Sequence, residues 1–243
     1  MTLHSSPNDK WPKILPKLTE EQNRIRDDFM KYWHEIIPER FSIIEKFSSD
    51  FLRKNFKKNG RILEIGAGLG AQIYSQNLSK TEYHVLELRQ NMANELKKRF
   101  PNVMVKIGDC QEGIDYPNGF FDRVQAIHVL EHLPNLPKAL NEVRRVLKKD
   151  GEFCVIIPCE GGVIHAIGRL FSGKRVFEKR YEVSYDWLIK YEHCNNANEV
   201  IEEINKQFKI VKSEYFPTRI PSIQLNLFIG LVLKPNSKLT KNI

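Results

Sequence analysis

The stretch from Arg61 to Gly70, RILEIGAGLG, constrains this chain more than any other. Five residues with the apolar character of a buried strand run straight into glycines at 66, 68 and 70, with Glu64 two residues before the first. Bare Cα atoms at alternate positions allow a tight turn and let a ligand touch the main chain. A helix expected to begin near Leu69 would add free N–H groups and the positive end of its dipole. A strand, turn and helix in that order belong to an open α/β sheet, whose ligands sit beyond the carboxyl ends of the strands.

The rest of the chain continues the alternation. YHVLEL (83–88), VMVKIG (103–108), FDRVQAIHV (121–129) and GEFCVIIP (151–158) read as further strands. NMANELKKRF and LPKALNEVRRVLKK (136–149) read as helices, the second ended by Asp150-Gly151. Apolar runs between helices predict a parallel sheet covered on both faces. FKIVKSEYFP (208–217) and NLFIGLVLKP (226–235) are separated by too short a link for a helix, so they should pair antiparallel.

Outside this alternation the organisation changes. Residues 1–18 carry three prolines and read as an extended arm with Trp11 as an anchor. Residues 19–58 form a helical cap, opened by a Thr19/Gln22 capping box and ended by a glycine stop at Gly60. The core domain spans 59–235 with an insertion at 159–205, and 236–243 is a flexible tail.

Composition limits the classes available. The 243 residues carry 38 Lys and Arg against 30 Asp and Glu, so 38 − 30 = +8. The lysines are scattered, which suits a soluble surface as well as an acidic partner. Cys110, Cys154, Cys159 and Cys194 form no C-x-x-C pair, and neither a metal nor a disulfide framework is expected. No secretory signal and no apolar run long enough to span a bilayer is expected, so the reading is cytoplasmic. The choice between monomer and homodimer stays open.

The glycine turn narrows the ligand to an adenosine derivative. Gly66, Gly68 and Ala71 also satisfy the dinucleotide fingerprint, and Glu87 suits ribose hydroxyls in either case. Glu64 disfavours a pyrophosphate and suits a cationic ligand with an amino group. Asp109 stands where it can accept from an adenine amine, and the Cys110 backbone can approach the ring. The closing antiparallel pair is foreign to a dinucleotide half.

With LEIGAGLG, VLEL, IGDC, FDRVQAIHVLEHL, LNEVRRVLKKDGEFCVIIP and NLFIGLVL in order, the chain resembles the class I S-adenosylmethionine-dependent methyltransferases, in the branch with an EHL motif after the fourth strand. The resemblance implies a Rossmann-like seven-stranded sheet ordered 3-2-1-4-5-7-6 with strand 7 reversed, and S-adenosylmethionine as cofactor. By the same resemblance Glu64, Gly66, Ala67, Gly68 and Gly70 hold the methionine portion of the cofactor. Glu87 and Leu88 flank the ribose, Asp109 and Cys110 the adenine, and Ile127 and His128 the methionine end. The segment 159–205 corresponds to a substrate lid.

Methyl transfer needs alignment, exclusion of water and, for a hydroxyl or ammonium acceptor, removal of a proton. His132 and His193 are the candidate bases; each also has a structural reading, His132 fixing a loop with Glu131 and His193 in a helix cap. In the insertion, His165, Arg169, Lys174 and Arg175 are candidate substrate contacts. From 165 to 180 five basic side chains face one acidic residue, Glu178, so an anionic acceptor such as a sugar nucleotide can dock there; a solvated helix face explains the same residues. A small-molecule acceptor leads. The alternatives are a nucleic-acid methyltransferase, which lacks its N/D-P-P-Y/F motif here, a non-catalytic partner of the same fold, and an NAD oxidoreductase.

Overall fold

The structure is a computed structural model that describes residues 10–36, 42–55, 60–76, 78–171 and 173–236. Residues 1–9, 37–41, 56–59, 77, 172 and 237–243, included in the expectations above, lie outside them. Strands β1 (Arg61–Ile65), β2 (Glu82–Glu87), β3 (Met104–Ile107), β4 (Phe121–Ile127), β5 (Leu147–Pro158), β6 (Phe208–Pro217) and β7 (Asn226–Pro235) form one sheet. Its order is β3-β2-β1-β4-β5-β7-β6, as expected. The first five strands run parallel, and β7 pairs antiparallel with both β5 and β6.

Helices cover both faces. Helix α1 (Glu20–Ile36) opens with the expected capping box, in which Thr19 N–H donates to Gln22 Oε1 at 2.9 Å and Gln22 N–H donates to Thr19 Oγ1 at 3.1 Å. After α2 (Ser42–Asn55) come α3 (Gln90–Arg99), α4 (Leu136–Val146), α5 (Val163–Phe171), α6 (Gly173–Tyr181), α7 (Asp186–Glu192) and α8 (Ala197–Gln207). Alternate residues of the strands sort onto opposite faces. Leu63, Val124, Phe153 and Val155 meet α4 and α8 in the main core, while Ile62, Tyr83 and Val85 meet Leu96 and Phe100 of α3. Phe51 and Leu52 of α2 cover Cys154 and Ile156. Each fully buried side chain of this size contributes about 1.5 to 3 kcal/mol.

A separate cluster binds α1 to α6 and α7. Phe29 meets Phe177 edge-on at 5.0 Å between ring centroids, and Ile25, Tyr185 and Leu188 complete it. Trp11 fastens the arm by donating from Nε1 to Glu203 at 3.0 Å, and Lys13 N–H donates to Pro134 O at 2.9 Å.

Three expectations are corrected. No α-helix follows the glycine turn among the described residues; turns lead into a single 3-10 turn at Ile73–Ser75. Sixteen residues separate Ile65 from Glu82, the glycine turn takes five, and the remainder is rich in Ser, Asn and Thr, poor helix formers. The helix dipole therefore drops out of the ligand argument. Helix α4 stops at Val146, not Lys149, and Asp150-Gly151 falls inside β5, where the pairing with β4 shifts register between Phe121 and Arg123. Lys148 is held there by Asp122 at 2.6 Å. Strand β4 ends at Ile127 because His128 turns left-handed, with φ of 55°.

Candidate active site

The carboxyl end of β1 delivers the chain into a turn in which Gly66, Gly68 and Gly70 all have positive φ, at 68°, 57° and 85°. A Cβ on Gly66 would lie 2.7 Å from Val129 Cγ2, and one on Gly70 would lie 2.6 Å from Phe100 Cε2. Nothing lies within 4 Å of the same position on Gly68. The outer glycines serve turn and packing; the middle one faces open space. Gly68 N–H donates to Glu87 Oε2 at 3.0 Å and Arg89 N–H to Glu87 Oε1 at 3.0 Å, which fixes the buried Glu87 carboxylate beside the turn. Ala67 packs against the α3-side core and Leu88 is exposed.

Glu64 is buried and engaged within the sheet. The Tyr83 hydroxyl donates to it at 2.7 Å, and Gln125 Nε2 donates to that hydroxyl oxygen at 2.6 Å. Burial above all pushes its carboxyl up to about 7, against hydrogen bonds from Tyr83 and Gln125 and with a smaller push from Glu87. Its charge is thus divided near neutral pH. Asp109 Oδ1 accepts from Gln111 N–H at 2.8 Å. Cys110 is buried in the main core, where burial pushes its thiol up to about 12, so its backbone is the part that can face a ligand. An open middle glycine and two fixed carboxylates, Glu87 and Asp109, at neighbouring strand ends fit an adenosine-type cofactor.

A second group forms where β4 and β5 end. His132 and His193, 61 positions apart, meet with ring centroids 4.7 Å apart. His132 Nδ1 lies 2.6 Å from Glu192 O; a carbonyl only accepts, so Nδ1 carries the proton and Nε2 is the basic nitrogen. Asn195 ties the α7–α8 link to the β4 end, donating from its side chain to Leu130 O and Leu133 O, both at 2.8 Å. Glu160, just past β5, approaches His193 Nδ1 at 2.8 Å, an ion-pair distance off the line of a straight hydrogen bond. Glu131 Oε1 lies 3.8 Å from His128 Nδ1 and 4.0 Å from His132 Nε2.

The electrostatics separate these histidines. Burial, with His193 nearby, lowers His128 to about 4 and His132 to about 3. Burial also opposes charge on His193, but Glu160, then Glu131 and Glu192, outweigh it, and its pKa is raised. Burial pushes Glu131 up to about 7, against the pull of His193. His193 is therefore the stronger base. Glu160 and Glu192 were missed in the sequence; the signal for Glu160 was its place just beyond a parallel strand's carboxyl end.

The candidate substrate contacts lie on α5 and α6. Lys174 is paired with Asp186 at 3.1 Å and Glu178 at 3.6 Å, and Arg175 is exposed. His165 in α5 is close enough to His128 to lower its pKa. The Arg169 side chain lies outside the described residues. A cavity of about 690 Å³ lies elsewhere, between α2 and β6, and includes no residue of the glycine turn or the histidine group. Among the described residues no cluster of three or more His, Cys, Asp or Glu is arranged to hold a metal, and no helix is long and apolar enough to cross a membrane.

This sheet order, with a glycine turn after β1 and acidic residues ending the next two strands, defines a Rossmann-like methyltransferase fold. Residues 32–208 match the family described as a methyltransferase domain, and the chain belongs to it as a class I S-adenosylmethionine-dependent methyltransferase domain. An uncharacterized protein of Methanocaldococcus jannaschii is 31% identical over 70% of this chain and 67% of its own length. A sterol 4-C-methyltransferase of Caenorhabditis elegans is 29% identical, over 40% of this chain and 31% of its own. Among solved structures, a Pyrococcus horikoshii protein superposes with a TM-score of 0.65 at 19% identity, covering 85% of this chain and 99% of that one. A Thermotoga maritima methyltransferase described as a possible histamine N-methyltransferase gives 0.57 at 21%, covering 88% and 99%. At these identities the likeness is one of fold.

Proposed function

We propose that this domain transfers a methyl group from S-adenosylmethionine to an oxygen or nitrogen of a small-molecule acceptor held over the carboxyl ends of β4 and β5. The bound cofactor supplies a methyl group already activated by a sulfonium. Glu64, Gly66, Ala67, Gly68 and Gly70 line the methionine side, Glu87 and Leu88 the ribose, Asp109 and Cys110 the adenine, with Ile127 and His128 at the reacting end. Helices α6 and α7, joined to α1 by their shared aromatic cluster, act with α5 beside them as the lid that excludes water.

His193 takes the acceptor proton on Nε2, while Glu160 faces Nδ1 and stabilises the imidazolium. His132 is held by the Glu192 carbonyl and is too weak a base for that work, so it positions its neighbour. The observation that carries this reading is the meeting of His132 and His193 beside two buried carboxylates at the end of β4. Because Lys174 is already paired, a phosphate dock at that residue is disfavoured.

The test is transfer of a radiolabelled methyl group from S-adenosylmethionine to fractionated small metabolites. His193→Gln should lower the rate by roughly 10² to 10⁴, the usual worth of a positioned base, with affinity for S-adenosylhomocysteine unchanged. A variant that keeps wild-type turnover removes His193 from this role.

A further inference from the structure

The group at the ends of β4 and β5 is short of hydrogen-bond donors, and that decides what can fill it. Glu131 Oε2 is buried and meets no hydrogen-bond partner, and neither does His128 Nε2. The Glu131 carboxylate lies on the Nδ1 side of His128 and favours the proton on that nitrogen, which leaves Nε2 as an acceptor. Two unsatisfied acceptors three residues apart need a ligand that donates. A carboxylate or phosphate, which only accepts, would leave both unpaired and add like charge.

The charges point the same way. Three carboxylates, Glu131, Glu160 and Glu192, face the group from three elements: the turn after β4, the link after β5 and the end of α7. Of the histidines, His128 and His132 are held neutral by burial, and His193, the base, offsets the carboxylates only after it has taken a proton. His165 of α5 is the remaining histidine in range. Arg26 and Arg89 pull on Glu192 but are already paired, Arg89 with Glu87 and Arg26 with Asp27, and Lys13 is paired with Glu199. That leaves His193 as the basic group that pulls on Glu131. A buried site with surplus negative charge and unpaired acceptors is complementary to an ammonium, which brings three donors and no acceptor.

We propose that the acceptor's reacting group is an amine that enters as an ammonium, with Glu131 as its principal counter-charge and Glu160 as the second. This deepens the methyltransferase reading above and rests on it. The ammonium gives one proton to His193 Nε2. The nitrogen lone pair then forms the new N–C bond as the methyl carbon–sulfur bond breaks. That bond's electron pair stays on sulfur, leaving a neutral thioether, and the positive charge ends on the methylated nitrogen. The oxygen alternative is set aside, because a hydroxyl supplies one donor and no charge.

The test uses full-length protein loaded with S-adenosylhomocysteine and titrated with ethylamine or propionate, probes small enough to enter any cleft. Binding is followed through the imidazole NMR signals of His128 and His132. Ethylamine should bind about tenfold more tightly than propionate or better, as expected when one charge sign is complementary and the other repelled. Glu131→Gln should weaken ethylamine about tenfold, and Glu160→Gln should do so to a lesser degree, while both still bind S-adenosylhomocysteine, which also reports that they are folded. Equal binding of the two probes, tighter binding of propionate, or no binding of either overturns the proposal. So does a loss of S-adenosylhomocysteine binding confined to Glu131→Gln, which would assign this carboxylate to the cofactor's own amino group. If the wild-type protein fails to bind S-adenosylhomocysteine at all, the methyltransferase reading itself falls first.

Discussion

The two ends of the candidate cleft are built in opposite ways. The glycine turn draws its geometry from five consecutive residues, 66–70, and from one side chain at the end of the next strand, Glu87. The histidine group is assembled from the end of β4, the link after β5 and the end of α7, with members 61 positions apart. The first is set by local backbone conformation, so a short sequence can specify it. The second exists only once α7 and α8 are docked by Asn195. Local geometry is legible in a sequence; convergence is not.

The glycines give the largest expected effect on the local side of that contrast. Gly70→Ala puts a methyl group against Phe100 and Leu96 at a left-handed position and should destabilise by about 3 kcal/mol or more, combining overpacking with backbone strain. Gly68→Ala meets no neighbour and should cost only about 1 kcal/mol in stability, yet weaken S-adenosylhomocysteine by tenfold or more. Denaturant melts with calorimetry on both variants separate the two roles. Equal loss of stability in the two would remove the distinction between packing glycine and ligand glycine.

On the assembled side, Glu131 should behave as a group held against its preference. Its folded-state pKa, about 7, lies above the ordinary 4.5, so the folded state binds more protons between those values. Stability from this group is present below about 4.5 and is lost as pH rises through 7. Glu131→Gln removes that loss. It should gain about 2 to 3 kcal/mol over wild type at pH 8 and little at pH 5, read from thermal melts at both values. A variant less stable at pH 8 would mean that Glu131 has a partner in solution.

The smallest effect tests the basic segment. Lys174 is part of a surface ion-pair set with Asp186 and Glu178, so Lys174→Ala should leave the thermal midpoint essentially unchanged and methyl transfer untouched. A large rise in KM would return this residue to the substrate site.

What the sequence carried follows the same division. Strands β1, β6 and β7 begin and end where RILEI, FKIVKSEYFP and NLFIGLVLKP place them, because apolar runs bounded by Gly or Pro are strong strand signals. The helix expected after the glycines failed because period and propensity were weak and the link was short. The 159–205 segment concealed four helices, one opened by a second capping box at Asn196 and Glu199. In α6 and α7 the apolar side chains face α1 and one another rather than the sheet, while α8 packs on the main core, and helical rather than strand periodicity marks them all. Glu64 was visible as a carboxylate beside glycines, but its hydroxyl partner, Tyr83, comes from the neighbouring strand.

The aromatic cluster of Phe29, Phe177, Tyr181 and Tyr185 shares none of its buried residues with the cores under the sheet. Its rings join α1 to two helices that follow β5, so this part has an internal cohesion that does not depend on the sheet. On the lid reading proposed above, such a roof would swing as one plate: admission of reactants and release of products would then depend on the few links at its margin, and a substitution among those rings would loosen the doorway while leaving the hearth beneath it intact.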